Sequence, residues 1–436
     1  MRVVAVFPYT KTTTKITNKE GEKVANVIEV LDAIMGSGKS TSMLKWVDEQ
    51  PNGCFLYVTP LLTESEVRVV EACTINKFSA PSVNEKIETK SSVLLDMLKA
   101  GVNISITQSL YSMLTKEHLS LIELNEYTII LDEEVSFIYP IGNDYSHNDF
   151  KYLKGTNRIS VDDSGRVVWL DTEILDNTKY SKLCNMCNLG MVYEAKREGG
   201  WFVMQMPIDL LRCAKRVILM TYLFEGSVLD SFLKLKGFDV VPFTEVSVRN
   251  ISKESIRDLI EFVGDRQVKY WSAESFSSHW YTNKANQKLL TKLAKDIRAI
   301  ANSEKAKSGE VLWCVPSVYA KPKKLDNKRV APISYGVGSG AMVGDLIQGN
   351  FLQCSSRATN GYRDRWLMIH CFNRFPNRAV AVYLEDYGFP VDDERFALAE
   401  FLQWLWRSRI RNGEPIKVCI LPKRMRKLFQ DWLSEG

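Results

Sequence analysis

Apolar positions in this chain of 436 residues fall into short runs closed by polar or small residues. Residues 27–31, 54–58, 103–108, 127–131 and 216–222 read as buried strands, because a strand covered on both faces need not alternate. Helical spacing follows the first run over Thr41–Val47 and returns at Asn286–Ser303 and Phe396–Arg411, the last amphipathic and ended by Asn412-Gly413. A further strand is expected at Glu310–Val315. Between residues 140 and 205 the pattern shortens to Arg158–Val161, Arg166–Leu170 and Trp201–Met206, with Asp162-Asp-Ser-Gly165 as a hairpin turn. The expectation is an α/β fold in two units, 1–225 and 226–436, with a β-rich insertion over 140–205.

Composition narrows the class. Hydrophobic residues are 45% and charged residues 25%, the profile of a globular protein. No apolar stretch approaches the roughly twenty residues that span a bilayer, and Met1–Tyr9 is too short and too soon polar for a secretion signal. A cytoplasmic protein without a membrane partner is expected. Nine scattered cysteines read as free thiols, and the close pair Cys184 and Cys187 lacks two further ligands for zinc. Net charge is only +5. Its distribution is uneven: Arg407, Arg409, Arg411, Lys417, Lys423, Arg424, Arg426 and Lys427 face one acid, Glu414, in the same stretch. A second cluster holds Lys321, Lys323, Lys324, Lys328 and Arg329. Such runs are either solvated surface or a contact for nucleic-acid phosphates.

The segment Ala33-Ile-Met-Gly-Ser-Gly-Lys-Ser40 lies between the first strand and its helix, the context of a phosphate-binding loop. Gly36 and Gly38 let backbone approach a polyphosphate. The helix-start N–H groups and the Lys39 ammonium stabilise its charge, and the Ser40 hydroxyl suits Mg²⁺. The expected nucleotide-binding set is Ala33, Met35, Gly36, Ser37, Gly38, Lys39, Ser40 and Thr41, with ATP and Mg²⁺ as cofactors.

About ninety residues on, Tyr127–Leu131 runs into Asp132-Glu-Glu134. Asp132 is the expected partner of Ser40 in holding Mg²⁺, and Glu133 is placed to orient or deprotonate the attacking water. Thr59 and Thr107 close two other strands and Thr221 closes the 216–222 run; these positions resemble motifs of superfamily-two motors, which implies nucleic-acid contacts for Thr59 and Thr107 and a coupling role for Thr221. The glycine-rich stretch 334–340 has no following Lys-Ser or Lys-Thr and is not a second phosphate loop. In the helical segment 396–411, Gln403, Arg407 and Arg411 are four residues apart and fall on one stripe. Arginine there suits the charge that builds on a transferring phosphoryl group.

The A-x-x-G-x-G-K-S spelling at Ala33–Ser40 resembles motif I of superfamily-two helicases and translocases. The Gln403/Arg407/Arg411 stripe resembles their motif VI, Q-R-x-G-R-x-x-R, although Trp404, Trp406 and Ile410 stand at three of its fixed positions. With Ser356–Asp364, Asn373–Asn377, Leu402–Ser408, Pro422–Arg426 and Thr221–Phe224, the chain looks like a DEAD/DEAH-like helicase encoded by bacteriophages. The resemblance implies two RecA-like parallel-sheet domains in tandem, with ATP in the cleft between them. Lys39, Asp132, Glu133, Gln403, Arg407 and Arg411 become the catalytic set, and Arg357 and Asn360 motif-V-like residues near nucleotide or strand. The implied activity is ATP-dependent helicase or translocase action, on single-stranded or forked DNA in phage replication, alongside replication proteins. The alternatives are a genome-packaging motor ATPase and a nucleotide-switched origin-binding or replisome-loading protein.

Overall fold

Strands follow from the apolar runs, and their register decides where the polar ends meet. The computed structural model describes residues 26–50, 53–82, 89–142, 144–170, 179–197, 199–307, 309–316, 319, 323–325, 328–330, 350–354 and 361–435. In chain order the strands are β1 (Val27–Asp32), β2 (Phe55–Thr59), β3 (Phe78–Ser79), β4 (Asn103–Thr107), β5 (Thr128–Asp132), β6 (Ile138–Pro140), β7 (Ile159–Val161), β8 (Val167–Trp169), β9 (Val192–Glu194) and β10 (Phe202–Gln205). They continue with β11 (Arg216–Thr221), β12 (Asp239–Pro242), β13 (Ile260–Phe262), β14 (Val311–Cys314), β15 (Lys323–Leu325), β16 (Lys328–Val330), β17 (Leu367–His370) and β18 (Ile416–Ile420). The chain is a mixed α/β protein with two parallel sheets.

The first sheet runs β12-β1-β11-β5-β2-β4-β3, and every neighbouring pair is parallel. Alternation across its strands feeds two different cores. Val30, Leu56, Ile106, Ile129 and Leu219 point to one side, towards the helices Lys90–Lys99 and Val228–Leu235. Leu31, Tyr57, Ile130, Ile218 and Met220 point to the other, against Met43, Leu44 and Val47 of the helix Lys39–Asp48. Burial on both faces explains why these strands read as continuous apolar runs.

Register sets the row of strand ends. Asp32 pairs with Thr221, Met220 with Asp132, Leu131 with Val58, and Thr59 with Thr107. The polar residues closing five strands therefore line one carboxyl edge, where open parallel sheets bind ligands. This sheet runs past residue 225, because β12 pairs with β1. Phe243 then completes the core beside Trp46.

The second sheet, β13-β18-β17-β14, is parallel throughout. Its core takes Leu290, Leu293, Ala294, Ile297 and Ile300, one face of the helix Gln287–Ser303. The insertion is the antiparallel trio β6-β10-β9 with the hairpin β7-β8, whose turn is closed by Gly165 N–H to Asp162 O at 2.9 Å. One element crosses the expected partition. The helix Arg378–Asp386, from the second half, buries Val380, Val382, Tyr383 and Leu384 in the first-domain core. Its end is tied to the insertion by Arg197 N–H to Asp386 at 2.8 Å and by the Tyr387 hydroxyl donating to Ser164 O at 3.0 Å.

Candidate functional site

The loop after β1 turns sharply at Gly36 (φ 80°) and Gly38 (φ 92°), left-handed conformations that glycine adopts at little cost. Gly38 is the N-cap of the helix Lys39–Asp48. The first-turn N–H groups of a helix lack intrahelical acceptors and point outward, so they suit an anion. Lys39 Nζ lies over the loop, donating to Ala33 O and, at 3.2 Å, to Ile34 O. Burial lowers its pKa to about 8, against the opposing pull of Asp132, Asp32 and Glu133. Asp32 is raised by burial, while the N–H groups of Phe224 and Leu223 that it accepts hold it back.

Asp132, at the tip of β5, accepts from Ser40 Oγ on Oδ1 at 3.1 Å. Its Oδ2 accepts from the Tyr57 hydroxyl at 3.1 Å and from Arg68 Nη2 at 2.8 Å. Glu133 follows in a left-handed conformation (φ 79°), its N–H donating to Met220 O at 3.1 Å. A non-glycine residue held there is strained, and such strain clusters at functional sites. The strain turns Glu133 towards the second domain, where Arg407 Nη2 meets its Oε1 at 3.6 Å. Thr221 Oγ1 donates to Glu134 Oε1 at 3.1 Å, and Gln108 Nε2 to the Glu133 carbonyl at 3.4 Å. The ends of β4, β5 and β11 are thereby linked through the acidic turn.

These residues line a cleft of about 410 Å³ between the two sheets. The first half supplies Met35, Gly36, Gly38, Lys39, Ser40, Thr41, Asp132, Glu133 and Thr221; the second supplies Arg363, Gln403, Trp406, Arg407 and Arg411. Six cationic side chains, Lys39, Arg68, Arg249, Arg363, Arg407 and Arg411, face three acids, Glu64, Asp132 and Glu133. That balance suits a polyanion. Arg407 is only 7% exposed, and its Nε is buried without an acceptor among the described residues. Burying a guanidinium this way is costly unless a further anion joins it.

The structure brings Gln403, Arg407 and Arg411 together, but not on one helix. The helix spans Asp393–Leu405; Arg407 lies in the turn after it, and Arg411 in the 3₁₀ helix Arg409–Asn412 closed by Gly413 (φ 77°). The fully buried Ser408 hydroxyl donates to Leu405 O at 2.7 Å, which fixes the break. A helix continuing at i+4 spacing is thus not the geometry that brings the three side chains to the cleft. Ser37 is buried behind the loop, and Ala33 takes part through its backbone, donating to Thr221 O at 3.0 Å. Thr59 is fully buried and donates to Leu61 O at 2.9 Å; Thr107 Oγ1 accepts from Leu110 N–H at 3.2 Å. Both hydroxyls serve local turns. Arg357, Asn360, residues 334–340 and Lys321 lie outside the described residues.

The C-terminal basic run disperses in the fold. Lys417 pairs with Glu304 and Glu261, Arg426 with Asp265, and Lys427 with Asp431, while Arg424 donates to the carbonyls of Arg374 and Asp393. It forms no single phosphate-binding stripe. The nine cysteines are all free thiols, seven of them buried. Among the described residues no helix is long and apolar enough to cross a membrane.

Sequence reasoning missed Tyr57, Glu64, Arg68, Tyr222, Arg249, Arg363 and Trp406. Arg249 comes from the chain beyond β12 and is held on the loop by its N–H to Ser37 O and its Nη2 to Gly36 O, at 2.9 and 3.0 Å. Trp406 packs beside Gly36, where a side chain would meet the indole at 3.6 Å. Arg363 had a signal, since it stands three residues after Asn360 in Ser356–Asp364.

Comparison with known proteins places relatives around this geometry. Residues 254–433, which hold the second sheet and its arginines, match the family described as the YonV C-terminal Rossmann-like domain. Residues 143–197 match the YonV middle domain and coincide with most of the insertion. A relative from Bacillus subtilis (strain 168), the SPbeta prophage-derived uncharacterized protein YonV, is 28% identical over 436 residues, covering 93% of this chain and 98% of the relative. The chain is thus similar, nearly end to end, to a prophage-derived protein, and over residues 254–433 to a Rossmann-like domain family.

Proposed function

We propose that the chain is an ATP-dependent nucleic-acid helicase or translocase built on two RecA-like domains. The carrying observation is the cleft itself, with Arg407 reaching from the second domain to Glu133 of the first. The donor set fits MgATP. The loop N–H groups and Lys39 would hold the phosphates, Ser40 and Asp132 would hold Mg²⁺ through oxygen, and Met35 and Thr41 line the approach. Bound ATP and Mg²⁺ supply a phosphoryl group primed for transfer to water. Glu133 orients that water and takes its proton. Arg407 and Arg411 stabilise negative charge from the opposite wall and act only while the cleft is closed.

The motor part of the reading rests on the linkage between that cleft and the strand edge. Gln108 follows Thr107 and holds the backbone of Glu133, while Thr221 holds Glu134. Opening and closing of the cleft would then shift the ends of β4 and β11 together. The prophage-derived relative fits a bacteriophage origin for the chain, and a role in phage DNA replication is part of the proposal.

The test is turnover of ATP by the full chain with and without single-stranded or forked DNA and RNA. Hydrolysis stimulated by nucleic acid, falling steeply with salt, is the expected result. Absence of any stimulated hydrolysis overturns the motor reading.

A further inference from the structure

The loop after β2 leads into a π-helix, Glu64–Val69, and a wider turn of this kind is rare and gathers at functional sites. It aims Arg68 back across the sheet edge to Asp132. The guanidinium is held between two acids, Nη2 on Asp132 at 2.8 Å and Nε on Glu64. The Tyr57 hydroxyl, fully buried, donates to the same oxygen, Oδ2. Oδ1 is the oxygen turned towards Ser40. One side of the carboxylate is therefore saturated by fixed donors, and the other is presented to the phosphate loop.

We infer that Arg68 is a positioning residue for Mg²⁺ binding: with Tyr57 it pins Asp132 so that only Oδ1 faces the ion. This rests on the nucleotide-site reading above. The physical reason is the demand of Mg²⁺ for near-octahedral oxygen geometry, which a freely rotating carboxylate meets poorly. Outer partners that orient a metal's ligands typically carry a 10- to 100-fold effect on affinity. Glu64 completes the arrangement by holding the guanidinium from behind, which keeps its plane fixed between the two carboxylates.

The experiment titrates Mg²⁺ into the full chain with a fluorescent, non-hydrolysable ATP analogue, beside a series in EDTA. Wild type, Arg68→Ala, Arg68→Lys and Tyr57→Phe are compared. In Arg68→Ala the Mg²⁺ concentration at half effect should rise about 10-fold or more, a larger change than the loss of metal-free affinity that removing one cleft cation brings. Arg68→Lys and Tyr57→Phe should shift less in the same direction. Equal weakening with and without metal would make Arg68 a phosphate contact, and a lower Mg²⁺ requirement would make it a competitor of the ion; either overturns the inference, as does no shift. Should Arg68→Ala fail to fold by circular dichroism, the lysine and Tyr57→Phe variants decide. A wild type that binds no nucleotide in either series instead defeats the underlying site reading.

Discussion

On the first wall of the cleft, Thr221 and Asp132 sit at the ends of neighbouring strands, with Asp32 closing the next strand beside them, and their spacing follows from sheet register alone. On the second wall, Gln403, Arg407 and Arg411 come from the end of a helix, the turn after it and a 3₁₀ helix. The first wall is a rigid edge built of backbone hydrogen bonds. The second is a set of guanidiniums held by packing, with Trp406 and Ile410 in the core beneath them. A rigid edge suits binding, where groups must be preorganised. A packed turn in the second half suits a contact that can be made and released.

Breaking the contact between the walls should have the largest effect. Arg407→Ala is expected to lower ATP turnover about 10³-fold, the scale of an arginine finger, while nucleotide binding stays near wild type. Single-turnover hydrolysis beside equilibrium binding separates the two. Arg411, at the exposed mouth of the cleft, should matter less, because solvent screens it. Equal losses in Arg411→Ala and Arg407→Ala would erase the distinction between a buried and a peripheral arginine.

The division into two walls also fails at one place, and a core substitution sharpens it. Leu384 belongs to the second half in sequence but is fully buried in the first core. Leu384→Ala should cost about 2–5 kcal/mol, read as a lower denaturant midpoint. The accompanying loss of amide-exchange protection should fall on the helix Val228–Leu235 and on β6 and β10. Loss confined to β14, β17 and β18 would instead assign the helix Arg378–Asp386 to the second domain.

These regions differ in how legible they were. The strand runs, the hairpin at Asp162–Gly165 and the loop at Ala33–Ser40 depend on neighbours in sequence, so pattern reading reached them. The arginine stripe was found through i+4 spacing, yet the helix stops at Leu405 because Ser408 turns back on it. The i+4 periodicity of the sequence is one that the fold does not keep past Leu405. Arg68 enters the cleft from a π-helix and Arg249 from the chain beyond β12, in directions that no local pattern fixes, whereas Arg363 lay within a segment that carried the resemblance. The C-terminal basic run, read as either solvated surface or phosphate contact, splits: ion pairs take Lys417, Arg426 and Lys427, while Arg407 and Arg411 line the cleft. Helix Arg378–Asp386 looked like any amphipathic segment, and which core takes its apolar face is a tertiary choice.

A smaller effect is expected where the second wall's turn depends on one residue. Gly413 closes the 3₁₀ helix at φ 77°, where an L side chain costs about 1–2 kcal/mol. Gly413→Ala should lower stability by about that amount. It should weaken the contribution of Arg411 without touching binding at the first wall. An unchanged melting curve would mean that the turn relaxes freely, and the contrast between a rigid and a packed wall would lose its second half.

The smallest effect at neutral pH concerns Lys39, and it probes the first wall from within. Burial lowers Lys39 to about 8, and a polyphosphate placed against the ammonium favours the charged form and raises it again. Below pH 8 the side chain is protonated both free and bound, so binding takes up no proton there. Above pH 8 the free lysine is neutral and the bound one charged. Each binding event then takes up as much as one proton, and affinity falls by up to about tenfold per pH unit. Calorimetry of ATP-analogue binding in two buffers of different ionisation enthalpy reads that proton directly. Lys39→Arg, always charged, should bind less well in this tight loop but lose the pH dependence. Proton uptake that persists in Lys39→Arg would move the titrating group away from the phosphate loop.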